Sequence, residues 1–141
     1  MKYRLVGSEM CIRDRGIDEK LEIYGDDYDT KDGSGERDYI HILDLINGHF
    51  SAINYILEHN GESVFNLGTG TSTSVFELIK TFESVNSLKI PYKISKRRAG
   101  DVARCYADPS LALKELNWQT EYNLSEMCMD AWLGVKDHES T

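Results

Sequence analysis

The chain has 141 residues, 40% hydrophobic and 28% charged, the size and make-up of one globular α/β-sized domain rather than a disordered or fibrous chain. Its 24 acidic against 16 basic residues leave a net charge of -8, which argues against a nucleic-acid-binding face, and no apolar run approaches the ~20 residues of a membrane-crossing helix. The 3 cysteines (Cys11, Cys105, Cys128) form no Cys-x-x-Cys pair, and with no signal-peptide pattern at the start they point to reduced thiols in a cytoplasmic setting.

Residues 1–20 carry neither a helical nor a strand period. Leu21-Glu22-Ile23-Tyr24 then predicts a short strand, and the acidic, glycine-bearing stretch 25–35 predicts a loop. Asp38-Tyr39-Ile40-His41-Ile42 is a second extended segment. From Ile42, apolar residues at Leu45, Ile46, Ile53, Ile56 and Leu57 recur at threes and fours, predicting a helix with one inward apolar stripe, ended by Asn60-Gly61. Ser63-Val64-Phe65-Asn66-Leu67 predicts a strand. After the turn 68–73, Ser74-Val75-Phe76-Glu77 reads as a capping box opening a helix with Val75, Leu78, Ile79, Phe82 and Val85 inward. Pro91-Tyr92-Lys93-Ile94-Ser95 predicts a strand, 97–104 a polar loop and Cys105-Tyr106-Ala107 a brief extended piece. Asp108-Pro109 is a helix start, with Leu111, Leu113 and Leu116 serving that helix. Asn123-Leu124-Ser125-Glu126 caps a last helix with Met127, Ala131, Trp132 and Val135 inward. This alternation of strands and helices predicts an α/β layer architecture of short strands with packed helices.

Most candidate chemistry is ruled out by its context. Gly68-Thr69-Gly70 lies between strand and helix, where a dinucleotide loop would sit, but Thr73 stands at the third glycine. A tight turn feeding a capped helix is the simpler reading. Tyr92 and Lys96 match Tyr-x-x-x-Lys, yet with 8 Tyr in the chain about one such match is expected by accident in every two chains of this size. The pair also lies on a predicted strand, whereas acid–base work by Tyr and Lys at this spacing needs a helical turn. No catalytic or metal-ligating set stands out: His41, His49, His59 and His138 make no HxH or HxxxH. What remains is positive charge in an acidic chain. Arg37-Asp38 and Arg98-Ala99-Gly100-Asp101 offer guanidinium groups that can grip phosphate and carboxylates that can accept from sugar hydroxyls.

At these residues the chain resembles the C-terminal, substrate-binding portion of the UDP-glucose 4-epimerase family of extended short-chain dehydrogenases/reductases. The resemblance is carried by Leu21-Glu22-Ile23-Tyr24-Gly25, Asp32-Gly33-Ser34-Gly35-Glu36-Arg37-Asp38-Tyr39-Ile40-His41, Phe65-Asn66-Leu67-Gly68-Thr69-Gly70, Arg97-Arg98-Ala99-Gly100-Asp101, Tyr106-Ala107-Asp108 and Leu116-Asn117-Trp118, in order and at the family's spacing. It runs from about Leu21 to Val135 and leaves residues 1–20 as a non-matching leader.

The resemblance implies a fold, the C-terminal substrate domain of an extended Rossmann-type epimerase, with the nucleotide-binding Rossmann half and its Tyr-x-x-x-Lys pair outside this chain. It implies a division into leader 1–20, UDP-sugar-binding domain 21–137 and tail 138–141. The full-length enzyme it implies is a cytoplasmic homodimer that uses NAD to invert C4 of a UDP-hexose, with no nucleic-acid or membrane partner. Carried over by position, Glu22, Ile23 and Tyr24 lie along the nucleotide, Arg37 and Arg98 meet the diphosphate and Asp101 the ribose. Cys105 borders the sugar, where a small residue leaves room for an N-acetyl group. Two rival readings stand beside this one: an epimerase of N-acetylated or glucuronate UDP-sugars, and a nucleotide-sugar-binding fragment without catalysis. An apolar face left open by the missing half is expected too.

Overall fold

The computed structural model describes residues 20–139, so residues 1–19 of the expected leader, Cys11 among them, and residues 140–141 of the expected tail lie outside the described residues. In chain order the elements are β1 (Leu21–Tyr24), β2 (Glu36–Arg37), α1 (Ile42–Glu58), β3 (Thr73–Ser74), α2 (Val75–Asn86), β4 (Tyr92–Ser95), β5 (Arg104–Cys105), α3 (Ser110–Leu116) and α4 (Leu124–Glu139). The fold is α/β, with short strands in two small sheets: β1 paired with β4, and β3-β2-β5.

Strict alternation makes β1 a strand, because Leu21 and Ile23 point into the core while Glu22 and Tyr24 stay half-buried. It runs parallel to β4, from Leu21 opposite Tyr92 to Tyr24 opposite Ser95. α2 lies against it with Leu78, Ile79 and Phe82 buried, as their spacing predicts. Its start is fixed by Ser74, whose Oγ accepts from the Glu77 backbone N–H at 3.1 Å. The reciprocal half of the capping box is missing, because the Glu77 carboxylate turns to Lys31 Nζ at 2.9 Å. α4 has the full box: Asn123 Oδ1 accepts from Ser125 and Glu126 N–H, and Glu126 Oε2 accepts from Asn123 N–H at 2.8 Å. α4 packs Cys128 and Trp132 against α2, with the Trp132 ring edge-on to Phe82 at 6.1 Å. Asp108 Oδ1 accepts from Ser110 N–H at 3.0 Å at the entry to α3.

Four expectations are corrected. The extended segment placed at 38–42 is shifted: the ladder is made by Glu36 and Arg37, and His41 already caps α1 by accepting the Leu43 N–H on Nδ1. Residues 63–67 form no ladder, since no described strand lies beside them, and Val64 is 84% exposed. On α3 and α4 the buried positions are Ala112 and Cys128, while Leu111, Leu113 and Ala131 face outward.

The fourth correction concerns α1, which turns its polar, small face inward. Asp44 is buried because its carboxylate accepts the N–H groups of Glu121 (3.0 Å) and Tyr122 (3.2 Å), while its carbonyl accepts Trp118 Nε1–H at 3.1 Å. Gly48 is buried because the Leu67 side chain lies where a Cβ would come within 2.7 Å. Meeting these backbone donors and this close approach fixes the helix rotation, and Ile42, Ile46, Phe50, Ile53 and Leu57 are left facing out.

This open apolar face should show itself in solution. The 141-residue chain should bind a hydrophobic dye and self-associate, and Phe50→Glu with Ile53→Lys should cut dye emission several-fold while moving stability by no more than about 0.5 kcal/mol, since both are surface sites. Dye fluorescence and light scattering check this, and a variant that binds dye like the unaltered chain would refute it.

Candidate functional site

The hydrogen bonds of β1 decide where a ligand edge lies. Leu21 and Gly25 donate their N–H groups to Pro91 and Ser95 carbonyls of the β4 side, each at 2.8 Å. In a parallel ladder alternate residues bond to one neighbour, so the backbone N–H and C=O of Glu22 and Tyr24 point to the opposite edge. A cavity of about 170 Å³ opens on this part of the fold, and it is lined by Glu22, Ile23, Tyr24, Arg37, Arg98 and Asp101. Six of the seven residues singled out from the sequence therefore share one cleft. The seventh, Cys105, does not line it; it is exposed on β5, in register beside Arg37.

Each cation is set by its own local structure. Arg37 is the second residue of β2, between Thr73 of β3 and Cys105 of β5. Its Nη1 donates to the Glu36 carbonyl at 2.7 Å, and its Nη2 stands 3.9 Å from Asp101 Oδ1. Arg98 follows β4 and lays its guanidinium 3.6 Å from the Tyr24 ring centroid, a cation–π contact. The Tyr24 hydroxyl donates to the Glu22 carboxylate, which also meets Lys93 Nζ at 2.6 Å. A turn with Gly100 at φ +87 returns the Asp101 N–H to the Arg98 carbonyl at 3.3 Å, so both residues face the cleft from one loop.

Two tyrosines are among the cleft residues not singled out from the sequence. Tyr28 and Tyr39 also line the cavity, and their buried hydroxyls have no hydrogen-bond partner among the described residues. Burial pushes the Tyr39 phenol up to about 12, against a smaller lowering by Arg37, so it stays a protonated donor at neutral pH. Aromatic residues in a loop carry no sequence signal that separates packing from ligand contact. Under the cleft, Glu36 holds the three-stranded sheet together: Ser72 Oγ donates to it at 2.7 Å and Arg104 Nε at 3.1 Å. The Ser72 hydrogen bond, with help from Arg104, keeps this carboxyl below the usual range.

The glycine-bearing turn 68–70 is occupied by the chain itself. Asp38 accepts the Thr69 N–H (3.0 Å) and Oγ1–H (2.6 Å) on Oδ1, and the N–H groups of Gly70 and Ala107 (3.1 Å each) on Oδ2. A Cβ on Gly68 would stand 2.5 Å from Asp38 Oδ2. These donors are spent on a carboxylate, so the turn does not fit the pyrophosphate of NAD. Tyr92 lies on β4 and Lys96 just past its end, in extended rather than helical chain. Among the described residues no group of three or more His, Cys, Asp or Glu could hold a metal ion, and no helix is long and apolar enough to cross a membrane.

Comparison with known proteins shows the family and the fold. The family described as GDP-mannose 4,6 dehydratase matches residues 11–131, taking in the second half of the segment 1–20. The UDP-glucose 4-epimerase of Bacillus subtilis is 49% identical over 114 residues, covering 81% of this chain and 34% of that protein. The crystal structure of UDP-glucose 4-epimerase from Stenotrophomonas maltophila with bound NAD and formylated UDP-arabinopyranose matches 99% of this chain and 41% of that one, at TM-score 0.91 and 37% identity. That of the Bifidobacterium longum enzyme in complex with NAD+ and UDP matches 96% of this chain and 40% of that one, at TM-score 0.87 and 42% identity. The chain spans about a third of the length of the curated relatives it matches.

The depressed carboxyl of Glu36 gives a pH dependence of known sign. A group whose folded pKa lies below its unfolded value stabilises the fold above the unfolded pKa, and that stability is lost as pH falls through the folded pKa. Stability measured by denaturant between pH 7 and pH 3 should therefore fall less steeply in Glu36→Gln than in the unaltered chain. Equal acid slopes would contradict it.

Proposed function

The chain belongs to the GDP-mannose 4,6 dehydratase family, and from that premise we propose that its cleft binds the UDP part of a UDP-hexose. The observation that carries this reading is the meeting of Arg37 and Arg98, from separated stretches, around one cavity with Asp101 between the same walls. Two guanidinium groups offset the two charges of a diphosphate, and their planar forks suit its oxygens. The Asp101 carboxylate can accept from ribose hydroxyls. The outward N–H and C=O groups of Tyr24 supply a donor and an acceptor on one strand edge, which is what the imide face of uracil requires. Ile23 anchors that edge from inside the core.

The finer assignment is a UDP-glucose/UDP-galactose 4-epimerase in its complete form, with NAD and the acid–base pair supplied by the remaining part of the protein. The similar enzymes carry NAD in their crystal structures, while the 68–70 turn of this chain is filled by Asp38. No step through NAD is therefore assigned to these residues. Binding without catalysis is the role this chain can perform with its own residues. Cys105, beside Arg37, is small enough to leave room for an N-acetyl group, which supports acceptance of UDP-N-acetylglucosamine by the complete enzyme. A cytoplasmic, homodimeric enzyme remains part of the same proposal.

Calorimetric titration of the chain with UDP and with uridine tests the reading. UDP should bind more tightly than uridine. Arg37→Ala or Arg98→Ala should each remove about 1.5–3 kcal/mol of UDP binding, the range for a charge-assisted hydrogen bond, and leave uridine nearly unaffected. Equal affinity for UDP and uridine would overturn the assignment. In the complete enzyme, Cys105→Tyr should raise KM for the N-acetylated sugar and leave that for UDP-glucose near its starting value; parallel changes would count against the role of Cys105.

A further inference from the structure

Arg97 is next to Arg98 in sequence but does not line the cleft. Its Nε donates to Asp27 Oδ1 at 2.6 Å and its Nη2 to the Asp27 carbonyl. The same guanidinium lies 4.1 Å from the centroid of the Tyr28 ring, which is buried and forms part of the cleft wall. The side-chain stem crosses Gly25, where a Cβ would come within 2.7 Å of Arg97 Cγ, and Gly25 turns at φ +86 directly after Tyr24. An exposed ion pair contributes little alone, and Asp27 is 72% exposed. Here, however, one side chain fastens the loop after β4 to the turn after β1 at a carboxylate, a carbonyl, a ring and a glycine.

We propose that Arg97 is a positioning residue that clamps these two loops together, so that Arg98 and Asp101 are aimed into the cleft before a ligand arrives. Arg98 rests on Tyr24, and Tyr24 immediately precedes the turn that Arg97 covers. Loosening the clamp lets the two halves of the cleft wall drift apart, and small displacements of a charged fork cost much of its affinity. The proposal rests on the cleft being a UDP site.

A rival role for Arg97 is long-range attraction of phosphate by its charge. The two roles predict opposite signs for Asp27→Ala, which removes a negative charge together with the clamp's one carboxylate contact. The clamp requires UDP to bind the Asp27→Ala chain about three- to tenfold more weakly, with the loss persisting at ~0.5 M salt, where exposed charges are screened. Attraction by charge requires equal or tighter binding. Arg97→Lys keeps the charge and a contact to Asp27 but loses the planar stack and the second N–H. It should fall between the unaltered chain and Arg97→Ala, and it serves as the gentler variant if Arg97→Ala does not fold. Calorimetry with UDP, accompanied by thermal melts, reads these chains and Arg98→Ala. Unchanged or tighter UDP binding by Asp27→Ala, or Arg97→Lys equal to the unaltered chain, overturns the clamp. If UDP binds, and Arg98→Ala weakens it while Asp27→Ala does not, only the clamp fails. If the unaltered chain does not bind UDP, the cleft assignment fails, and the clamp with it.

Discussion

The carboxylate of Asp38 gathers four donors from two distant stretches, and the geometry of the cleft depends on it. It joins the end of β2 to the 68–70 turn and to Ala107, just past β5. Removing it would leave the N–H groups of Thr69, Gly70 and Ala107 without their partner, at about 1–3 kcal/mol each where they are buried. Asp44 does the same for the 118–122 segment, and His41 between them caps α1, stands 3.2 Å from Asp130 of α4 and stacks on Tyr122 at 4.3 Å. The stretch 38–44 is thus a hub of polar contacts in which side chains do the work that a larger sheet does elsewhere. It begins one residue after Arg37, so the hub fixes the chain directly beyond the two-residue strand that carries that guanidinium.

Among the cations near the cleft, distance separates structural from available charge. Arg97 lies 2.6 Å from Asp27 and Arg104 3.1 Å from Glu36, both within hydrogen-bond range. Arg37 stands 3.9 Å from Asp101, beyond that range. Arg37 is anchored through Nη1 to the Glu36 carbonyl, while its Nη2 makes no close carboxylate bond, and on the proposed reading that side of the fork meets the phosphate. In a chain of net charge -8 two guanidinium groups thus share one concave surface with the carboxylates of Glu22 and Asp101.

The parts of this architecture that local chemistry decides were legible in the sequence. Alternation marked β1, threes-and-fours spacing marked α2, and Asn123 with Glu126 marked the start of α4. The rotation of α1 was not legible, although its apolar stripe was. The stripe is real, but the inward face is chosen by N–H groups at Glu121 and Tyr122 and by the Leu67 side chain, all distant in sequence. The segment 63–67 has the residues of a strand and lacks a partner among the described residues, so propensity alone could not make it one. In the site, Arg37, Arg98 and Asp101 were visible as unusual charge in a recognisable order. Tyr28 and Tyr39 were not, because only the tertiary structure shows their hydroxyls buried beside those charges.

The size of the cavity adds a constraint that residue identities do not. At about 170 Å³ it falls below the roughly 300–1,000 Å³ of typical small-molecule pockets. On the proposed reading the cleft takes the nucleotide part of the ligand; Cys105 lies outside its lining, exposed and in register with Arg37. Separately from the cleft, α1 leaves Ile42, Ile46, Phe50, Ile53 and Leu57 uncovered. On the proposed UDP reading, the charges of Arg37 and Arg98 and the outward backbone edge at Tyr24 supply the grip on the nucleotide.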